Sequence, residues 1–186
     1  MVVWNLNNNF SLAQLNANFD EVYNYVLHAN KTIYVATTGS DVTGNGTSGK
    51  PYKTITMALA MIPKNLNGFD ATINIAGGTY AETPTILGFN GGTLNIVPNG
   101  DITVNRITIQ ESQSINITNS TTKYTITTSA INTNGLDIRY NSGVRFNNVD
   151  LVINITGTYP GIFVMTNSKL TFLVGTATIN NAYYGI

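Results

Sequence analysis

The chain has no cysteine and very little charge. Without a thiol, disulfides, zinc fingers, iron–sulfur centres and cysteine nucleophiles are all excluded. Charged residues make up 10% of the 186, nine basic against nine acidic, so no net field draws the chain to nucleic acid or to an anionic membrane. No apolar run approaches the roughly 18 residues that a membrane helix needs, and membrane insertion is not expected. Met1 to Asn9 contains neither a basic leader nor a long apolar stretch, so no signal peptide is read there and the protein is expected to be soluble. In place of charge stand asparagine and threonine, 27 of each. A polar, uncharged, β-compatible surface points to a stacked or fibrous β architecture more than to a mixed α/β enzyme. The length fits one domain with a short appendage.

The pattern divides the chain into a helical head and a β body. Residues 1–10, with Val3, Trp4, Leu6 and Phe10 among asparagines, have no periodicity and read as an extended arm. Ser11 to Gln14 has the form of a capping box, which predicts a helix over residues 11–30. Leu12, Leu15, Phe19, Val22 and Val26 then recur at alternating three- and four-residue steps, the a/d spacing of a coiled coil. A lone helix of about 18 residues is marginal in water, so this seam needs either its own domain beneath it or a parallel bundle of copies. His28 lies off the seam and reads as a surface residue, not a metal ligand.

Residues 31–70 predict a first strand, a glycine-rich loop and a capping helix. Ile33 to Ala36 forms the strand, and Gly39 to Pro51 is too rich in glycine to be anything but loop. Gly44, Gly46 and Gly49 do not have P-loop spacing, and Lys50 precedes a proline where a Walker motif requires a helix, so nucleotide binding is not expected. Thr54 to Ile62 places Ile55, Ala58, Leu59 and Ile62 on one face of a short helix that Pro63 ends.

Residues 71–186 carry a repeat. The pairs Ile73/Ile75, Leu94/Ile96, Ile115/Ile117 and Leu136/Ile138 follow one another at one constant interval, and Ile162/Val164 come after a slightly longer one. Two further sets of short strands lie between these rows. Three brief strands in each repeat of about 21–26 residues predict an all-β, parallel β-helix with those aliphatics stacked as its core. Five such coils, each advancing about 4.8 Å, would build a prism roughly 25 Å tall. The helix before the first coil is the expected lid over the column. Ile186 falls at the first inward position of a new coil, so the stack is expected to continue beyond it.

Ile33 to Asp41, Gly44 to Ile55 and the segment Ile73-Asn-Ile-Ala-Gly-Gly-Thr-Tyr-Ala-Glu82 resemble the opening of right-handed parallel β-helix proteins of the pectin-lyase-like superfamily. Preceded by Leu12-Ala-Gln-Leu-Asn-Ala-Asn-Phe19, the whole is similar to bacteriophage tail spikes and tail fibres. The resemblance implies a homotrimer, which favours the bundle reading of the seam, and an N-terminal segment that attaches to a tail protein of the virion. It also implies a host-surface glycan or receptor as the partner of a region farther along, and synthesis in the bacterial cytoplasm. Members that cleave polysaccharide carry paired acids, or an arginine with calcium-binding aspartates, on an outer face of later coils.

Neither set is evident between residues 1 and 186. Asp101 and Glu111 fall near turns, and Glu82 belongs to the Gly-Thr-Tyr-x-Glu motif, where its role looks structural. Asp137 is the one acid in the outward row Asn74, Asn95, Asn116, Asp137, Phe163. Arg139 or Arg145 would suit a lyase, but one nearby aspartate is a poor cage for calcium. No catalytic residue, metal or cofactor is therefore expected here. Asn74, Asn95 and Asn116 read as a side-chain amide ladder, with a sugar-binding strip as the competing idea. The expected function is attachment and shaft of a tail appendage. The runner-up is the entrance segment of a polysaccharide depolymerase, and a third reading is a secreted adhesin.

Overall fold

A computed structural model of the chain describes residues 25–119, 124–131, 134–156 and 160–180. It is a parallel β-solenoid of about four turns. One hydrogen-bonded sheet is bent over two faces, and a smaller sheet closes the third.

The first face consists of β1 (Lys31–Val35), the first half of β2 (Asp70–Tyr80), the first half of β4 (Thr93–Val104), β6 (Ile115–Thr118), β9 (Gly143–Asn147) and β12 (Lys169–Val174). The second carries the far halves of β2 and β4, then β7 (Tyr124–Ile131), β10 (Val149–Thr156) and β13 (Ala177–Asn180). β3 (Thr85–Leu87), β5 (Ile107–Gln110), β8 (Leu136–Arg139) and β11 (Ile162–Val164) make the third. β2 and β4 turn the corner between the first two faces without a break, because Gly77 and Gly100 stack there. A Cβ on Gly100 would lie 2.8 Å from the Gly77 Cα.

Alternation along each strand sends every second side chain inward. On the first face Ile33, Ile73, Ile96, Ile117, Phe146 and Phe172 stand in one file. The second face contributes Ile102, Ile126 and Leu151, and the third Ile109 and Ile138, all of them buried. Each such side chain contributes about 1.5–3 kcal/mol on burial, so the file of aliphatics, more than any single hydrogen bond, holds the coils together. In the last described coil the cover thins, with Val164 39% and Ile179 43% exposed.

The architecture is the expected one, but the row assignment changes after Ile117. Leu136 and Ile138 do not stack on Ile115 and Ile117; they stack on Ile107 and Ile109, and Ile162 and Val164 stack on them in turn. Ile115 and Ile117 are instead followed by Val144 and Phe146. The coils are uneven: equivalent positions on the first face are Ala71, Leu94, Ile115, Val144 and Leu170, and the step from Ile115 to Val144 is the longest of them. The interval from Ile115 to Leu136 equals that from Leu94 to Ile115, yet it separates two faces of one coil and not two coils of one face. An aliphatic–polar–aliphatic triplet looks the same on any face, so spacing alone cannot say which face it lines. A two-residue shift also separates the first rows, since Ala71 and Ile73, not Ile73 and Ile75, face Leu94 and Ile96.

The head differs too. Residues 25–30 are not helical: Val26 forms an isolated parallel bridge with Asn65, and the amide of Leu27 donates to the Asn65 carbonyl at 2.9 Å. Leu27, not a seam position, is buried on the solenoid. The solenoid's own edge competes for this backbone and wins, so the helix expected over 11–30 does not reach Val26. The rest of that helix, with Leu12, Leu15, Phe19 and Val22, and the arm with Val3, Trp4, Leu6 and Phe10, lie outside the described residues.

The lid is α1 (Ile55–Ala60), with Ile55, Ala58 and Leu59 buried. Two distant carboxylates hold its N-terminus. Glu82 accepts from the amides of Ile55 (2.7 Å) and Thr56 (2.9 Å), and Asp41 from those of Lys53 (2.8 Å) and Thr54 (3.1 Å). The Thr54 hydroxyl in turn accepts from the Met57 amide at 3.1 Å. First-turn amides have no partner within the helix, and negative charge is favoured at that end. Glu82→Ala is expected to destabilise the chain by about 1–2 kcal/mol, read as a lower urea midpoint. An unchanged midpoint would show that α1 holds its place by apolar contact alone.

Candidate functional site

Most of the acids already serve the fold. Besides Asp41 and Glu82, Asp101 accepts from the Thr125 amide of the next coil at 2.7 Å. Asp150, two coils beyond Asp101, does the same from the Thr176 amide (2.6 Å) and hydroxyl (2.8 Å). A carboxylate that accepts from a backbone amide across the rung is held in place and has fewer lone pairs left for acid–base work. Among the described residues no group of three His, Cys, Asp or Glu side chains is placed to hold a metal ion. His28 is exposed.

Asp137 is not the lone surface acid that its alternation suggested. It is buried, and its row is Thr108, Asp137 and Phe163 on the third face, not the row of Asn116. Arg139 grips it through two of its three guanidinium nitrogens, Nε to Oδ1 at 2.6 Å and Nη2 to Oδ2 at 2.8 Å. Arg106 adds a contact at 3.2 Å from the coil before, and the Asn134 amide a longer one at 3.4 Å. The Arg139 guanidinium also lies 5.1 Å from the Phe163 ring centre. Its hydrogen bond to Asp137 holds the Arg139 pKa above the ordinary value, against the opposing effect of desolvation. A fork that takes both oxygens of a carboxylate fixes it. The cluster is a brace across three coils, and it is unsuited to abstracting a proton or to caging calcium.

The glycine-rich loop is likewise self-satisfied. The amides of Gly39, Ser40, Gly44, Asn45, Gly46 and Lys50 donate to carbonyls of neighbouring residues within or beside the loop, and those of Val42 and Thr43 reach the Ser40 hydroxyl. A phosphate cradle needs such amides pointing outward. The amides of Gly39, Gly44 and Gly46 are turned instead to carbonyls within or beside the loop.

The asparagine row is real only in pieces. The Asn116 amide donates to Asn95 at 3.3 Å, but Asn74 is paired with Asn99, also at 3.3 Å, because the two-residue shift carries it away from Asn95. Two other ladders stand at the corners. The side-chain amide of Asn119 donates to the Pro98 carbonyl, and that of Asn148 to the Asn119 carbonyl at 2.9 Å. At a second corner the amides of Phe89, Ser112 and Ser142 donate to the hydroxyls of Ser112, Ser142 and Ser168, each at 3.2 Å. Both ladders follow the uneven coil steps, so their sequence signal emerges only once the register is known.

Among the described residues, one outward surface is committed only through the Asn116–Asn95 hydrogen bond. On the first face Asn95, Asn116, Arg145 and Thr171 stand in consecutive rungs, all pointing away from the core. Beside them an open groove of about 280 Å³ is lined by Asn116, Arg145, Lys169, Thr93, Ser114 and Thr171, among others. Arg145 and Lys169 are exposed, and neither forms an ion pair with a described residue. Of the residues expected to form the core, Ile73, Ile75, Leu94, Ile96, Ile115, Ile117, Leu136 and Ile138 are buried, whereas Ile162 is half-buried and Val164 exposed.

No protein-family model matches the chain, and comparison with curated proteins and with solved structures returns no match either.

Proposed function

We propose that the chain is the attachment and shaft segment of a bacteriophage tail spike or tail fibre, of the right-handed, pectin-lyase-like kind that its sequence resembles. Residues 1–30 would then fix a homotrimer to a tail protein, and the solenoid would carry a host-recognition region away from the particle. The observation that supports this best is the pairing of an unbroken parallel stack with carboxylates engaged in holding rungs, lid and brace. Such a stack transmits load and position along its axis, and each coil depends only on its neighbours. Three arms joined in one trimer raise the effective concentration of each contact, so individually weak contacts hold together. Deleting residues 1–10 is expected to yield folded protein that is missing from purified particles, measured as copies per virion. Full occupancy by the truncated chain would refute the anchoring role.

A further inference from the structure

We infer that the groove beside Arg145 and Lys169 is a binding site for a negatively charged oligosaccharide, one bearing carboxylate, sulfate or phosphate groups. This rests on the host-surface reading of the protein and names the ligand chemistry for it. Across the groove, successive rungs present Thr93, then Ser114 and Asn116, then Arg145, then Lys169 and Thr171. Hydroxyls and an amide are the groups that exchange hydrogen bonds with sugar hydroxyls, and they recur at the coil spacing of about 4.8 Å. That rise is comparable to the length of one pyranose unit, so a glycan lying along the axis meets neutral hydrogen-bonding groups on the first two rungs and a cation on each of the next two.

The charge pattern selects among glycans. Arg145 and Lys169 come from adjacent coils, β9 and β12, and among the described residues no acid lines the groove. Several other cations are engaged: Arg106 and Arg139 hold Asp137, Lys31 donates to the Met61 carbonyl at 2.7 Å, and Lys64 donates to the Leu59 carbonyl and lies over Phe89. In a chain with no net charge, two neighbouring cations without a described acidic partner form a local positive field. Arginine offers a fork to an anion and lysine a point charge. The groove is shallow and open, which suits a chain passing along it better than a small molecule enclosed in it.

The full chain should be tested on a panel of immobilised oligosaccharides carrying uronate, sialate, sulfate or phosphate groups, beside their neutral counterparts. Binding is expected only among the acidic members. For any acidic member that binds, titration in solution should show affinity falling as salt rises, and falling by about tenfold or more in Arg145→Gln/Lys169→Gln. Both side chains are exposed, so the variant is expected to keep the parent's circular dichroism and unfolding midpoint. No binding across the panel, binding of neutral members alone, or an affinity unchanged in the double variant would overturn the assignment, as would equal competition by inorganic sulfate. None of these results depends on virion occupancy, so the glycan site and the tail-appendage reading fail separately.

Discussion

Asp137→Ala is expected to destabilise the chain by about 2–4 kcal/mol, because removing one partner of a buried ion pair leaves the others without their counter-charge. The Asp137 side chain is only 1% exposed, while Arg106 and Arg139 are 25% and 31% exposed. The two arginines therefore recover some hydration when the carboxylate is lost, which places the cost below that of a fully buried triad. What they do not recover is the brace: Arg106 precedes β5, Asp137 lies in β8 and Phe163, under the Arg139 guanidinium, lies in β11. Asp137→Asn keeps the shape and one acceptor oxygen, so it should lose less than the alanine variant. Urea unfolding followed by circular dichroism measures both. A loss below about 1 kcal/mol for Asp137→Ala would mean that the third face holds its register by apolar stacking alone.

Phe146→Ala should cost about 3–5 kcal/mol, the range for deleting a buried aromatic ring from a close-packed core. Phe146 is fully buried and occupies the inward file between Ile117 and Phe172, with its ring 4.9 Å from that of Phe172. The position of the loss matters as much as its size. In a stack where each coil touches only its neighbours, a cavity weakens the adjoining coils most, and here Phe172 on the next rung is only half-buried whereas Ile117 on the one before is fully buried. Hydrogen exchange should therefore quicken most in β9 and β12, while β2 and β4 stay protected beneath the lid. Phe172→Ala, at a half-buried ring, is expected to cost less. Uniform loss of protection along the whole chain would show that the solenoid unfolds as one unit.

How far these effects could be foreseen differs from one residue to the next. The inward character of Ile96, Ile117 and Leu136 follows from alternation, which depends on the chain alone. Their stacking partners do not, because partnership depends on the length of every turn between them. Those turns make the coils unequal, and the single long coil from Ile115 to Val144 was enough to move Leu136 and Ile138 to a different face. Asn74 was separated from Asn95 by a smaller shift of the same kind. Glu82 could be read as structural from its motif, but its partners, the first amides of α1, are 26 and 27 residues away.

Composition, local periodicity and the recurrence of short strands by themselves determined a cysteine-free, weakly charged, parallel β-solenoid with an aliphatic core and a short helix before its first coil, since these follow from side-chain class and its spacing along the chain. Only the tertiary structure decided which triplets share a face. The same packing drew Val26 and Leu27 onto the solenoid's edge, buried Asp137 between two arginines, and set Arg145 beside Lys169 on adjacent rungs. The physical reason is that register between coils is a property of stacked backbones and their turns, and residues a whole coil apart become neighbours only when the intervening loop closes.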